Sequence, residues 1–199
     1  MNTKQQQSQI ADNEFQAGLQ SLIDKDIIAS KYFNPDEITY PLMEKSSDTL
    51  NYGGINIPKN KDFEGVSSAL KRRGMSSLLT SESTFKDKVK SGKTAIAIFQ
   101  NPVANADDIA KMRVVLHEVR HKAFEDPIHK DFLKTNGLNE EVLNRFLDIK
   151  AFPELKPILK KEIDSMYEKG FDGLKTKYQP AADNFLKFFN SQSKSMLNR

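Results

Sequence analysis

One pentapeptide combines the side chains that a hydrolytic metal site needs. The segment His117-Glu118-Val119-Arg120-His121 places two histidines four positions apart, with a glutamate between them. On a helix, side chains at i and i+4 lie one turn apart on the same face, so both imidazoles can bind one ion. Glu118 would then lie beside that ion, within reach of a water bound to it. The pentapeptide therefore predicts a metal that activates water and a carboxylate that accepts the proton of that water.

A simpler interpretation of the same residues is that both histidines are buried in the core, have hydrogen-bond partners and bind no metal. The chain has only three histidines, and shuffling its composition would produce the pattern about once in several hundred chains. Apolar residues around the pentapeptide also form a stripe that would bury both imidazoles, where a histidine without a partner costs free energy. Metal binding is therefore the preferred interpretation.

A metal bound here needs a third protein ligand, because structural and catalytic zinc sites both use at least three protein groups. The chain contains no cysteine, and His129 lies too near the end of the predicted helix to be an easy partner. Eighteen residues separate His121 from Glu140, and nineteen separate it from Glu141. Either spacing fits a loop followed by a second helix that packs on the first, so both glutamates are candidate ligands.

The elements that must position these residues are predicted to be mostly helical. Asn105 fits the N-cap of a helix that runs to about Phe124, before Asp126-Pro127 ends it. A second helix is predicted over Glu140–Lys150. Upstream, the compact apolar run Thr94–Phe99 is typical of a strand.

The whole chain is predicted to be a mainly α (α+β) protein, with a short upstream strand or small sheet beside the motif helix. Residues 1–30 are predicted to form a polar arm and a first helix, about Asp12–Ser30. Residues 31–199 are predicted to form a single domain, with the motif region at 92–150 and C-terminal helices at 154–197.

The composition argues against several other kinds of protein. Without cysteine, disulfides, thiolate nucleophiles and cysteine-type zinc sites are all excluded. The formal net charge of +3, from 30 basic and 27 acidic residues, is too balanced to predict nucleic-acid binding. No run approaches the roughly 20 apolar residues that a membrane span needs, and the N-terminus lacks the apolar stretch of a signal peptide. A cytoplasmic protein is therefore expected.

The motif, the strand upstream and a glutamate-bearing helix downstream together resemble the gluzincin branch of the zincin metallopeptidases. The resemblance implies that His117 and His121 bind Zn²⁺ together with one glutamate, and that Glu118 is the general base. Glu141 is narrowly preferred over Glu140 as the third ligand, because the residues three and four positions later fit the family pattern better. The expected reaction is hydrolysis of a peptide or protein substrate.

The same resemblance implies that Thr94–Phe99 is an edge strand that holds the substrate in an extended conformation, with Ile96, Ala97 and Ile98 as substrate-binding residues. It leaves the group that stabilises the oxyanion open among three residues: Tyr167, Tyr178 and His129. Partners that orient the histidines are expected among three others: Asp148, Asn144 and Asp107.

A looser resemblance, limited to about Gly92–Ile149, links the chain to zincin-like domains of phage internal virion proteins. It implies an alternative function, that of a structural or assembly protein of a virion that retains the domain with little or no catalysis, and a virion-associated location. Assembly contacts would come from the N-terminal arm or from the last helix, about Ala181–Leu197, where Phe188 and Phe189 are difficult to bury together. Amide hydrolysis in a small substrate is a third possibility.

Overall fold

The structure is a computed structural model, and it describes residues 17–34, 38–43, 54–57, 64–65, 68, 95–99 and 108–197. Most of these residues are helical, which confirms the mainly α prediction. None of the helices among them is both long enough and apolar enough to cross a membrane. The predicted cap at Asn105 and the predicted start of the first helix at Asp12 lie outside the described residues.

Seven α-helices carry most of the described fold. In chain order they are α1 (17–25), α2 (Ala29–Tyr32), α3 (Asp108–Phe124), α4 (Pro127–Thr135), α5 (Glu140–Ala151), α6 (Lys156–Met166) and α7 (Gly170–Leu197). A 3-10 turn, Pro153–Leu155, joins α5 to α6.

Three short strands form a sheet in the order β1-β3-β2. They are β1 (Ile38–Met43), β2 (Gly54–Ile57) and β3 (Ala95–Phe99). β3 pairs parallel to β1 on one side and antiparallel to β2 on the other. The prediction of an edge strand at Thr94–Phe99 is therefore wrong, because two segments earlier in the chain occupy both of its sides. That Ile96, Ala97 and Ile98 bind substrate stays a prediction.

The motif helix α3 ends at Phe124 as predicted, but the residues that end it also begin another helix. The Asp126 side chain accepts a hydrogen bond from the backbone N–H of Ile128 at 3.1 Å, and Pro127 occupies the first turn of α4, where its missing N–H costs nothing. The sequence analysis missed α4. In α5, the Asn139 side chain caps the helix by accepting from the N–H of Val142 at 3.1 Å.

The first and last helices differ from their predicted bounds for local reasons. The predicted helix Asp12–Ser30 is interrupted after residue 25, where the Asp26 side chain accepts from the N–H groups of Ile28 and Ala29 at 3.0 and 2.8 Å, and a separate helix, α2, begins at Ala29. The last helix begins at Gly170, eleven residues before its predicted start at Ala181. Gly170 has a positive φ of 58°, which marks the turn after α6.

Side chains from most of these helices meet in two apolar clusters. The first joins Leu19 and Ile23 of α1 to the central turns of α3 and to Phe152. The second joins the end of α3 to α5 and α7. Phe189 is buried and Phe188 stacks on Phe132 of α4 with centroids 4.9 Å apart, so the chain itself packs both rings. Assembly through this helix stays a prediction.

Phe185 tests this packing, since its side chain is 0% exposed and its ring lies 5.2 Å from that of Phe124. Phe185→Ala is expected to lower the free energy of unfolding by about 3–5 kcal/mol, because it leaves a cavity. Ile158→Ala is the control, since Ile158 is 56% exposed and its replacement is expected to cost less than about 1 kcal/mol. Urea unfolding measures both, and equal losses would contradict the assigned core.

Candidate metal centre

Helices α3 and α5 pack together and bring two histidines and one glutamate to one place. The rings of His117 and His121 have centroids 5.0 Å apart and planes inclined by 77°. His117 Nε2 lies 3.6 Å from Oε2 of Glu141, and His121 Nε2 lies 3.3 Å from Oε1 of the same carboxylate. One ligand atom from each residue can be chosen so that all three lie within 4.8 Å of one another. The three side chains therefore converge on one small volume.

The separations within this group suit a shared cation better than direct hydrogen bonds. N–H···O hydrogen bonds usually measure about 2.7–3.2 Å between heavy atoms. Two ligands of a tetrahedral ion, each bonded at about 2.0–2.1 Å, lie about 3.3–3.5 Å apart. Of the two Nε2-to-carboxylate distances, 3.3 Å falls within the second range and 3.6 Å lies just above it, and the two imidazoles face different oxygens of Glu141. The three residues could therefore hold a metal ion.

The opposite nitrogen of each imidazole is held by a carboxylate. His117 Nδ1 lies 2.7 Å from Oδ2 of Asp148, and His121 Nδ1 lies 2.6 Å from Oε1 of Glu140. When Nδ1–H donates to these oxygens, the Nε2 lone pair of each ring is the one available to a cation. Carboxylate partners of this kind are usual for histidines that bind metals, since they fix the tautomer and the ring orientation.

The structure separates the two glutamates that the sequence analysis left as alternatives. Glu141 faces the Nε2 side of both rings, whereas Glu140 binds Nδ1 of His121. Arg145, one turn later on α5, donates to Oε2 of Glu141 at 2.6 Å and holds that carboxylate in place. Because consecutive residues on a helix point in different directions, only one of the two can reach the Nε2 atoms.

Two further residues of α5 fasten it to the motif helix. Asp148, at 0% exposure, accepts from Nη1 of Arg120 at 2.6 Å through the oxygen that does not face His117. Asn144 donates its side-chain N–H to the backbone carbonyl of His117 at 2.9 Å. Both residues were expected to orient the histidines, and both contact His117. Asp107, the third expected partner, lies outside the described residues.

The charges around His117 favour a positive group at the centre. Burial alone would lower the pKa of His117, but Asp148, Glu141 and Glu118 raise it to about 9. Burial would raise the pKa of Glu141, yet His117, His121 and Arg145 hold it well below its usual range. The carboxylates around His117 thus favour positive charge on its ring or close to it.

Glu118, the predicted general base, is 7% exposed and lies beside this donor set. Its negative charge is one of those that act on His117. The next residue of the motif, Val119, is fully buried in the apolar cluster that α3 shares with α1. The helix that carries both candidate histidine ligands thus also carries a buried carboxylate whose charge acts on one of them.

Two of the three candidates for stabilising an oxyanion have other roles. His129 is 2% exposed, donates from Nδ1 to the backbone carbonyl of Ala123 at 2.6 Å, and stacks on Phe189. The Tyr178 hydroxyl accepts from the backbone N–H of Asn139 at 3.0 Å, which supports the start of α5. Tyr167 is half-buried at the end of α6, where burial raises its pKa and the charges of Arg145 and Glu141 also act on it.

Comparisons with protein-family models, with curated proteins and with solved structures found no match to this chain. The resemblance to gluzincins therefore depends on the motif residues themselves. A proposal about function depends on the geometry of the site.

The raised pKa of His117 predicts opposite pH trends with and without metal. In the metal-free protein, the folded-state pKa of about 9 lies above the ordinary value of 6.5. The stability that this shift contributes is therefore complete below the ordinary value, and is lost as pH rises through the raised one. Zinc competes with the same proton, so the increase in melting temperature caused by saturating zinc is expected to grow with pH.

Thermal unfolding between about pH 6 and pH 8.5, with and without zinc, measures both trends. His117→Gln serves as the matched variant, since it keeps a polar side chain but cannot titrate. In this variant, the loss of stability with rising pH and the growth of the zinc-induced shift in melting temperature are both expected to be smaller. A zinc-induced shift in the wild type that shrinks as pH rises would contradict the assignment of His117.

Proposed function

We propose that this chain is a zinc-dependent metallopeptidase. His117, His121 and Glu141 would hold the metal, and Glu118 would act as general base. The observation that carries the proposal is the convergence of two imidazole Nε2 atoms on one carboxylate, at distances of 3.3 and 3.6 Å, with both Nδ1 atoms already hydrogen-bonded to other carboxylates.

The chemistry of the donor set favours zinc among the common metals. Two imidazoles and one carboxylate are a ligand set of catalytic zinc sites, which keep a fourth position for water or substrate. Calcium and magnesium prefer ligand sets made of oxygen atoms. When bound, zinc lowers the pKa of its water to about 7 and polarises a carbonyl group.

The residues of the chain supply the remaining steps. The Glu118 carboxylate would accept a proton from the attacking water and pass it to the nitrogen of the departing amine. Asp148 and Glu140 would keep both imidazoles in the tautomer that leaves Nε2 available. Arg145 would hold Glu141, so that its carboxylate neither rotates away nor picks up a proton. The structure already contains the hydrogen bonds that these three roles require.

The substrate is proposed to lie along the sheet, because α3 contacts both β2 and β3. β3 is paired on both sides, so an extended peptide could not add to its backbone. Among the described strands, the outer sides of β1 and β2 are the edges without a partner, and backbone pairing with a peptide would take place there. A role for Ile96, Ala97 and Ile98 in binding substrate stays part of the proposal.

The ligand set can be tested by metal content. One zinc per chain is expected for the wild type, and His121→Ala or Glu141→Gln is expected to remove it. Glu140→Ala takes away only the hydrogen-bond partner of His121, so it is expected to weaken zinc binding by about 10–100-fold without abolishing it. Elemental analysis and competition with a chelating indicator measure these outcomes. Equal losses in the Glu140 and Glu141 variants would contradict the assigned roles, and a wild type that cannot be loaded would overturn the site.

Hydrolysis can be tested separately from metal binding. Glu118→Gln is expected to keep the zinc but to slow cleavage of an unfolded protein by about 100–10,000-fold, because the proton acceptor is gone. Glu154→Gln is the matched control, since Glu154 is exposed on the turn after α5, and it is expected to retain full activity. A chelator should stop cleavage by the wild type.

Full activity in Glu118→Gln would contradict the assignment of the base. A fully zinc-loaded wild type that cleaves no unfolded protein would instead favour the alternative, a structural or virion assembly protein that retains the site with little catalysis.

A further inference from the structure

A buried arginine within the motif links the metal centre to the N-terminal part of the chain. Arg120 is 1% exposed and has a carboxylate on each side of its guanidinium. Asp26 Oδ2 accepts from its Nε at 3.2 Å and from its Nη2 at 2.5 Å. Asp148 Oδ1 accepts from its Nη1 at 2.6 Å. Since Asp148 Oδ2 faces Nδ1 of His117 at 2.7 Å, an unbroken series of charge-assisted hydrogen bonds runs from Asp26 to a candidate metal ligand.

The Asp26 end of this series is itself held firmly. The second oxygen of its carboxylate accepts from the backbone N–H groups of Ile28 and Ala29, which fixes the side chain at the start of α2. The helices on either side are anchored in the core by Leu19, Ile23 and Ala29, which share an apolar cluster with α3. Both oxygens of the Asp26 carboxylate thus accept hydrogen bonds, so its position next to Arg120 is fixed.

Electrostatics makes Arg120 dependent on both of its carboxylates. A buried guanidinium that loses one partner is left with an uncompensated charge and free N–H groups, which is costly. It would then move toward the partner that remains, Asp148, and disturb the oxygen that orients His117. The planar fork of arginine transmits such a change, because its donors are fixed relative to one another.

We propose that Asp26 is a positioning residue of the metal centre, which holds His117 in its metal-binding orientation through Arg120 and Asp148. Residues 17–34 would then belong to the site functionally, although they lie far from the motif in sequence. By reciprocity, zinc at the site would stabilise the docking of these residues to the same extent that their docking strengthens zinc binding. The inference depends on the proposed metal site, and the experiments distinguish its failure from the failure of that site.

Asp26→Asn is the direct test. Asparagine keeps an oxygen that can cap α2, but places an N–H₂ group against the donors of Arg120. Zinc affinity, measured by competition with a chelating indicator, is expected to fall by about tenfold. The visible spectrum of the cobalt-loaded protein, which reports ligand geometry, is expected to shift. Asp26→Glu, which returns a carboxylate, should recover most of the affinity and the wild-type spectrum.

Asp164→Asn is the matched control. The Asp164 side chain also accepts from a backbone N–H in the first turn of a helix, that of Phe171 in α7 at 2.7 Å, but among the contacts of the described residues no hydrogen bond joins it to Arg120, Asp148 or His117. Its replacement is expected to lower stability by a similar amount and to leave zinc affinity and the cobalt spectrum unchanged. Equal effects of the two substitutions on affinity and spectrum would overturn the proposal.

Hydrogen exchange in the wild-type chain provides a second test that requires no variant to fold. Zinc is expected to slow exchange at the amides of Ile28 and Ala29, which donate to Asp26, more than at Phe171, which donates to Asp164. Equal slowing at all three amides would overturn the proposal. A wild type that binds no zinc would defeat the proposed function itself, whereas tight zinc binding that Asp26→Asn leaves unchanged would defeat only the role of Asp26.

Discussion

Two short hydrogen bonds, from the imidazole Nδ1 atoms to carboxylates on α5, set the geometry of the candidate site. Asp148 and Glu140 hold the back of each ring at 2.7 and 2.6 Å, and Glu141, from the same helix, faces the front of both. Residues 141 and 148 are seven positions apart, which is close to two helical turns, so α5 presents them on one face. Without those two bonds, neither Nε2 atom would be held toward Glu141.

The same arrangement explains how a fully buried carboxylate is tolerated. Burial would raise the pKa of Asp148, but His117, Arg120 and Arg113 lower it, so Asp148 is a charged acceptor surrounded by cations. Groups that interact this closely do not contribute independently, and substitutions within the network are expected to be non-additive. The described residues therefore hold His117, His121 and Glu141 together in a group that could bind a metal ion.

The motif and its near neighbours could be predicted because the determining spacings are local. A separation of four residues puts His117 and His121 on one helix face, and Asn139 marks the start of the helix that carries Glu141. Asp148 and Asn144 could be named as partners because they follow Glu141 at helical spacings. Glu140 and Glu141 could not be separated in this way, since the choice between them depends on how α5 is rotated against α3.

Features that depend on tertiary packing could not be predicted. Asp26 and Arg120 are 94 positions apart, and no local pattern pairs them. The short helix α4 was missed because Asp126-Pro127 indicates the end of one helix as readily as the start of another. β3 was expected at an edge from the family resemblance, and nothing in its own residues shows that two earlier segments lie on both of its sides. The turn between α1 and α2 likewise gives no sign in its sequence that Asp26 contacts a motif arginine.

Anomalous diffraction at the zinc absorption edge, from crystals of the full chain loaded with zinc, would show whether His117, His121 and Glu141 hold the metal. We expect one strong peak per chain, about 2.0–2.1 Å from Nε2 of His117, from Nε2 of His121 and from a carboxylate oxygen of Glu141. A peak bonded elsewhere, or rings whose Nε2 atoms face apart in the loaded crystal, would contradict this expectation.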